Sequence, residues 1–154
     1  MSSNPSFTSL SEVITHLNAT GPDSSSNYTV YGLKISAASV QAQVDHANKY
    51  LYSLVPSLSD PTDPRYVCAQ LAALDLACLG VLVTVVGGSL IGAYDYALGD
   101  MHLQRAGPYA NSIKIAIQGY SQSFASNLMN VSTVVKLAHS SRHIPRYSGP
   151  ELSP

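Results

Sequence analysis

The feature that most constrains the fold of this 154-residue chain is a run of nineteen residues without a charge, Leu76–Tyr94. A run of about 18 to 20 apolar residues is long enough to cross a bilayer as a helix. However, Gly87–Ser89 interrupts the run as a helix end does, and the flanking residues are Asp75 and Asp95 rather than a Lys or Arg cluster. We therefore expect the central helix of a bundle, with a membrane span over Leu76–Tyr94 as a less favoured alternative.

The whole chain is poor in charge. Charged residues make up 11% of it, whereas about 25% is usual, and eight basic residues nearly balance nine acidic ones. This balance argues against a basic nucleic-acid-binding protein and against an acidic disordered chain. A neutral surface rich in hydroxyl groups is typical of a protein that its neighbours cover, so we expect a subunit of an assembly.

Three segments combine a helix start signal with the apolar spacing of an amphipathic helix. Ser9 and Glu12 form a capping box ahead of a short helix. Ser36 and Asp63 are N-cap residues for two longer helices. The predicted buried positions are Leu10, Val13, Ile14 and Leu17 in the first, Val40, Val44, Ala47, Leu51 and Leu54 in the second, and Val67, Leu71, Leu74, Cys78, Val81 and Val85 in the third, with a second stripe of Cys68, Ala72, Leu79 and Val86 beside it.

After the third helix the apolar period changes from helical to alternating. Short alternating runs flank Gly99-Asp100, which predicts a β-hairpin over Tyr94–Arg105 with a two-residue turn. By contrast, Asp23–Asn27 is predicted to be a polar loop. A fourth helix follows Gly107, with Pro108 at its first position.

The helical pattern of the fourth helix ends near residue 130. This predicts a domain over residues 1–130 and a tail over 131–154 with too few apolar residues to pack independently. The expected fold is mainly α: a small bundle of about four helices, with a short β-hairpin before the last helix and an extended C-terminal tail.

Residues that carry catalysis or bind metals form no recognisable motif. The sequence has no phosphate-binding loop, nucleophile elbow, zinc-protease motif or CxxC pair. Asp75 is a lone carboxylate in an apolar helix, expected to be a polar contact rather than a catalytic acid. Cys68 and Cys78 lie about 15 Å apart along one helix, too far for a disulfide, and are expected to be reduced. We expect neither an enzyme nor a cofactor or metal.

Four segments resemble the head–tail connector (adaptor) proteins of tailed viruses. They are SLSEVITHL, ISAASVQAQVDHANKYLYSLV, DPRYVCAQLAALDLACLGVLV and YDYALGDMHLQRAGPYANSIKIAIQGY, which together extend over roughly residues 7 to 130. The last of them leads from an aromatic-rich segment through a Leu-Gly-Asp turn into the final helix. The chain departs from the family in its long Asp23–Val30 loop, its charge-poor helices and its extended tail.

The resemblance implies a structural protein of the virion, located at the head–tail junction and in the host cytoplasm during assembly. Typically twelve such subunits form a ring beneath the portal, which extends the DNA channel and joins the capsid to the neck or tail. The implied partners are further copies of the chain, the portal protein and a downstream neck or tail protein. Genomic DNA passes through without sequence-specific binding. The alternative is another virion or cellular assembly subunit built on the same bundle.

The resemblance also implies which segments make the contacts. In such rings the C-terminal segment reaches the portal, which assigns portal contacts to Val131, Val134, Val135, Leu137, Arg142, Ile144, Arg146 and Tyr147. The predicted hairpin contacts a neighbouring subunit or the neck protein through Tyr94, Tyr96, Leu98, Met101, Leu103 and Arg105.

Overall fold

A computed structural model describes residues 6–56, 58, 60–87 and 104–140, and for 104–106 and 132–140 it describes the backbone only. This part of the chain is mainly helical, with four helices and one two-stranded antiparallel hairpin. The elements in chain order are α1 (Leu10–His16), β1 (Asn27–Val30), β2 (Leu33–Ser36), α2 (Ala37–Leu54), α3 (Pro64–Val85), a 3₁₀ segment (Gln104–Tyr109) and α4 (Ala110–Ser140).

The starts of the first three helices lie where the capping residues predict them. The Glu12 carboxylate accepts the Ser9 N–H at 2.7 Å, while the Ser9 hydroxyl accepts the Glu12 N–H at 3.4 Å. Ser36 and Asp63 each accept a backbone N–H from the first turn of α2 and α3. These bonds satisfy donors that have no partner within the helix, so the caps define where each helix begins.

The described hairpin lies before α2 and was not predicted there, and the expected polar loop Asp23–Asn27 leads into its first strand at Asn27. Val30 pairs with Leu33, so the turn consists of Tyr31 and Gly32, which have φ angles of 49° and 74°. Positive φ at both turn positions matches the twist of the two strands. A Cβ atom at Gly32 would lie 2.7 Å from Cε2 of Tyr109, so a larger residue would displace that ring, and the positive φ of Gly32 also favours glycine.

The expected hairpin over residues 94–105 lies mostly outside the described residues. Its last residue, Arg105, belongs to the 3₁₀ segment Gln104–Tyr109 rather than to a strand, which corrects that end of the prediction. Gly107 interrupts the segment with a φ of 53°, a conformation that favours glycine. α4 therefore begins at Ala110, two residues after Pro108, which was expected to be its first residue.

The extended segment expected from residue 131 is also corrected, because α4 continues to Ser140. The apolar stripe of α4 consists of Ile113, Ile117, Tyr120, Phe124 and Leu128. It does not stop at Leu128, because Val131 follows three residues later and is only 2% exposed. Its side chain packs in the same cluster as Phe124, seven residues before it. The spacing of a helix thus persists beyond residue 130, and it was missed because β-branched residues dominate the next turn.

The core is built around α3, which packs against α2 and α4. One cluster joins α1, the hairpin and the first half of α2 to the second half of α3. A second joins Phe7, Leu51 and Leu58 to alanines of α3 and to Phe124 and Val131 of α4. A small third cluster contains Val86 and Ile113. α3 therefore contributes to the two larger clusters and connects the two ends of the bundle.

The first half of α3 presents a different face from the one predicted. Val67 and Leu71 were expected in the core but are 53% and 46% exposed, while Ala69, Ala72 and Ala73 are fully buried. Small side chains allow neighbouring helices to approach closely, so the alanines take the inner positions and the larger aliphatic residues face outward. In α2 the predicted stripe is confirmed at Val40, Val44, Ala47 and Leu51, but Leu54 is exposed.

Candidate interaction surfaces

One end of the α2–α3 pair exposes three aliphatic side chains. Leu54, Val67 and Leu71 are 47%, 53% and 46% exposed. Leu54 is the last residue of α2, and the short loop after it leads directly to the start of α3, so the three residues lie at the same end of the bundle. Val67 and Leu71 are four residues apart and share one face of the helix. We call these three residues the apolar end.

Charged residues lie beside the apolar end. The Nε–H of Arg65 is shared between the two carboxylate oxygens of Asp63, and Nη2 donates to Oδ2. These bonds hold the pKa of the Asp63 carboxyl below its usual value. Asp60, in the loop before α3, accepts bonds from Thr62 and has no ion pair among the described residues, so this end keeps one negative charge beside the Arg65–Asp63 pair.

The residues expected to contact partners are only partly described. Val131 is buried in the core, so its side chain does not form part of an exposed tail. Val134, Val135 and Leu137 belong to the helical backbone of α4. The remaining expected contacts lie outside the described residues: Tyr94, Tyr96, Leu98, Met101, Leu103, Arg142, Ile144, Arg146 and Tyr147.

A polar cluster joins α3 to α4 within the apolar packing. Asp75 is 6% exposed, and its Oδ2 accepts the Ser123 hydroxyl at 2.6 Å and the Asn127 side-chain amide at 3.0 Å. The amide also donates to the Ser123 hydroxyl at 3.3 Å. The sequence indicated the expected polar contact of Asp75 but not its partners, although Ser123 and Asn127 share a helix face through their spacing of four.

A cleft of about 270 Å³ opens beside this cluster. Its lining combines the end of α1 with α3 and α4: His16, Asp75, Ala116, Gly119, Tyr120 and Ser123. Gly119 is inside α4, where glycine is less favourable than alanine by about 1 kcal/mol. A Cβ atom there would meet nothing within 4 Å, so packing within the chain does not require the glycine.

Two further titratable groups lie beside Asp75 and stay protonated near neutral pH. Burial, with a smaller contribution from the nearby carboxylate, raises the pKa of the Cys78 thiol to about 12. Burial also raises the pKa of the Tyr120 phenol. Because a thiol reacts as its thiolate, Cys78 is a poor nucleophile at neutral pH. Both cysteines are free thiols, as expected.

The titratable residues in the described ranges form no group of three His, Cys, Asp or Glu side chains able to hold a metal ion. One described helix, α3, is long and apolar enough to cross a membrane, and 61% of its most apolar stretch is buried within the chain. The core helix of a bundle has the same length and composition.

Compared with known proteins, the chain matches no family model, no curated protein and no solved structure.

Proposed function

We propose that this chain is a structural subunit of a larger protein assembly, in which the apolar end is an interface between neighbouring copies. The observation that carries the proposal is the exposure of three aliphatic side chains, Leu54, Val67 and Leu71, at one end of the α2–α3 pair. Covering such side chains removes apolar surface from water, and each contributes to association in proportion to the area covered. The low charge of the whole chain supports the same conclusion.

The assembly that we propose is a head–tail connector ring of a tailed virus. The resemblance of four sequence segments to that family and the bundle of four helices support it. In this proposal about twelve copies form a ring beneath the portal, and the ring extends the DNA channel towards the neck or tail. The location is the neck of the virion. The subunit acts mechanically, by joining parts, rather than by catalysis.

The segments beyond the described bundle supply the outer contacts in this proposal. In this proposal Val131 belongs to the core, and the other expected residues contact the portal: Val134, Val135, Leu137, Arg142, Ile144, Arg146 and Tyr147. A segment that orders on its partner exchanges conformational entropy for buried apolar and backbone contacts. Tyr94, Tyr96, Leu98, Met101 and Leu103 contact a neighbouring subunit or the neck protein.

Sedimentation velocity tests the assembly, and electron microscopy of the chain mixed with its virus's portal tests its type. We expect a discrete oligomer that becomes monomeric when Val67 and Leu71 are both replaced by Ser, and rings seated on the portal in the images. Ile115→Ser is the matched control, because Ile115 is 61% exposed on α4 and lies away from the apolar end. A monomer at all concentrations would contradict assembly, and an oligomer that ignores the portal would contradict the connector.

A membrane protein is the second candidate, because α3 has the length and composition of a spanning helix. In this alternative the span is Leu76–Tyr94, and the chain partitions into the membrane fraction after expression. Recovery of the chain from the aqueous fraction without detergent would argue against it. The same preparation then serves for the sedimentation experiment.

A further inference from the structure

The carboxylate of Asp75 has an oxygen that the bundle leaves available. Both of its hydrogen bonds, from Ser123 and Asn127, reach Oδ2, and Oδ1 receives none from the described residues. The ion pairs of the described ranges join Lys34 to Asp23 and Arg65 to Asp63, so neither supplies a cation to Asp75. The described residues contain no fully buried side-chain oxygen without a hydrogen-bond partner, so Oδ1 is accessible from outside the bundle and can accept a further donor.

The lining of the cleft beside Asp75 combines small and aromatic residues. Ala116, Gly119 and Tyr120 line it from α4, and His16 lines it from α1, with its ring centroid 5.7 Å from that of Tyr120. Aromatic faces attract cations, and small apolar side chains pack against an alkyl stem. His16 and Tyr120 are the other titratable groups that line the opening.

We propose that this cleft binds a primary alkylammonium group, with Asp75 as its counter-ion. The group is either the side chain of a lysine on another protein or a free alkylamine. An ammonium suits the site better than a guanidinium, because a guanidinium binds best to two available carboxylate oxygens, and Oδ2 of Asp75 already accepts two bonds. The proposal does not depend on ring assembly, since the cleft is formed within one chain.

Titration of the full-length protein with n-butylammonium, followed by amide NMR shifts, tests the site. We expect saturable shifts centred on Gly119 and Ser123, and no saturable shifts with n-butanol, which has a similar size without the charge. Nα-acetyl-lysine N-methylamide distinguishes the two sources of the cation. A site for a protein lysine binds this blocked lysine as well as n-butylammonium, whereas a site for a free amine excludes its peptide groups.

Two variants remove binding by different means. Asp75→Asn removes the charge but keeps an oxygen that can accept the bonds from Ser123 and Asn127, and it should weaken n-butylammonium binding at least about tenfold. Gly119→Leu fills the cleft without changing those bonds and should abolish binding. Asp45→Asn is the matched control: it removes one exposed carboxylate on α2 and should leave the affinity within about twofold.

The site would be overturned by any of three results: no saturable shifts in the native protein, equal shifts with n-butanol, or native affinity in Asp75→Asn. If Asp75→Asn does not fold, Gly119→Leu decides alone, because its substitution lies on an open helix face. Native affinity in a folded Gly119→Leu would then place the bound amine elsewhere and reject the proposal.

Discussion

Asn48 shows how one polar side chain organises a distant segment. Its Oδ1 accepts the backbone N–H groups of Phe7 and Thr8 at 2.9 and 3.0 Å, and its amide donates to the Thr8 carbonyl at 2.9 Å. Phe7 and Thr8 are both buried, so these backbone groups have little access to water. By its position off the apolar stripe of α2, Asn48 resembles a solvent-facing residue, and its role depends on contacts forty residues away.

We expect Asn48→Ala to destabilise the protein by about 2–3 kcal/mol, because it leaves buried backbone groups without partners. Urea denaturation measures the change. Gln41→Ala is the matched control on the same helix, since its amide donates to the exposed carboxylate of Asp45, and its loss should cost less than about 0.5 kcal/mol. Equal stability of the two variants would show that residues 6–8 do not depend on Asn48.

At the scale of elements, the β1–β2 hairpin is held at its open end by Asp23. One carboxylate oxygen accepts the N–H groups of Ser25 and Asn27, both at 2.9 Å, and the other accepts Lys34 at 2.9 Å. The bond from the Asn27 N–H, followed by that from Lys34, lowers the pKa of Asp23 to about 2. The carboxylate therefore favours the folded hairpin in its charged form.

This geometry predicts a pH-dependent contribution to stability. The pKa of Asp23 is lower in the folded chain than the ordinary value of 3.8, so the contribution is complete above about pH 4 and is lost as the pH falls through about 2. Asp23→Asn should be less stable than the native protein at pH 7, and the two should converge near pH 2. Urea denaturation at each pH measures this difference.

Lys34→Met is the control for the charge pair. It removes the cation but keeps the Asn27 N–H, which is the larger cause of the lowered pKa. Most of the pH dependence should therefore persist in Lys34→Met. If the free energy of unfolding differed between Asp23→Asn and the native protein by the same amount from pH 7 to pH 2, the negative charge of the carboxylate would not stabilise the hairpin.

Local signals predicted most of the helices but not the hairpin. The caps at Ser9, Ser36 and Asp63 depend on neighbouring residues alone, so the sequence indicates them directly. The β1–β2 turn needs a positive φ at both Tyr31 and Gly32, and tyrosine is not a residue type that signals such a turn. The partners of Asp75 and Asn48 were missed for a different reason, since both require knowledge of which helices pack together.

At the scale of the whole molecule, α3 determines how closely the bundle packs. Ala69, Ala72, Ala73 and Ala77 are fully buried, and α3 packs against both α2 and α4. The amphipathic pattern predicted that α3 is central and placed Ala72 in its second apolar stripe, but it also assigned Val67 and Leu71 to the core, because it weighted side-chain size above the space between helices. Val67 and Leu71 face outward because the alanines take the inner positions, and they form part of the apolar end.

Ala73→Leu tests this packing and separates the bundle from the membrane alternative. Adding a large side chain between closely packed helices should destabilise the protein by about 1–3 kcal/mol in urea denaturation. Ala42→Leu, the same change at an exposed position of α2, should alter stability by less than about 0.5 kcal/mol. In a helix that faces lipid, leucine is as favourable as alanine. Equal tolerance of leucine at residues 73 and 42 would therefore count against the bundle, because Ala73 would then face an environment with room for a larger apolar group.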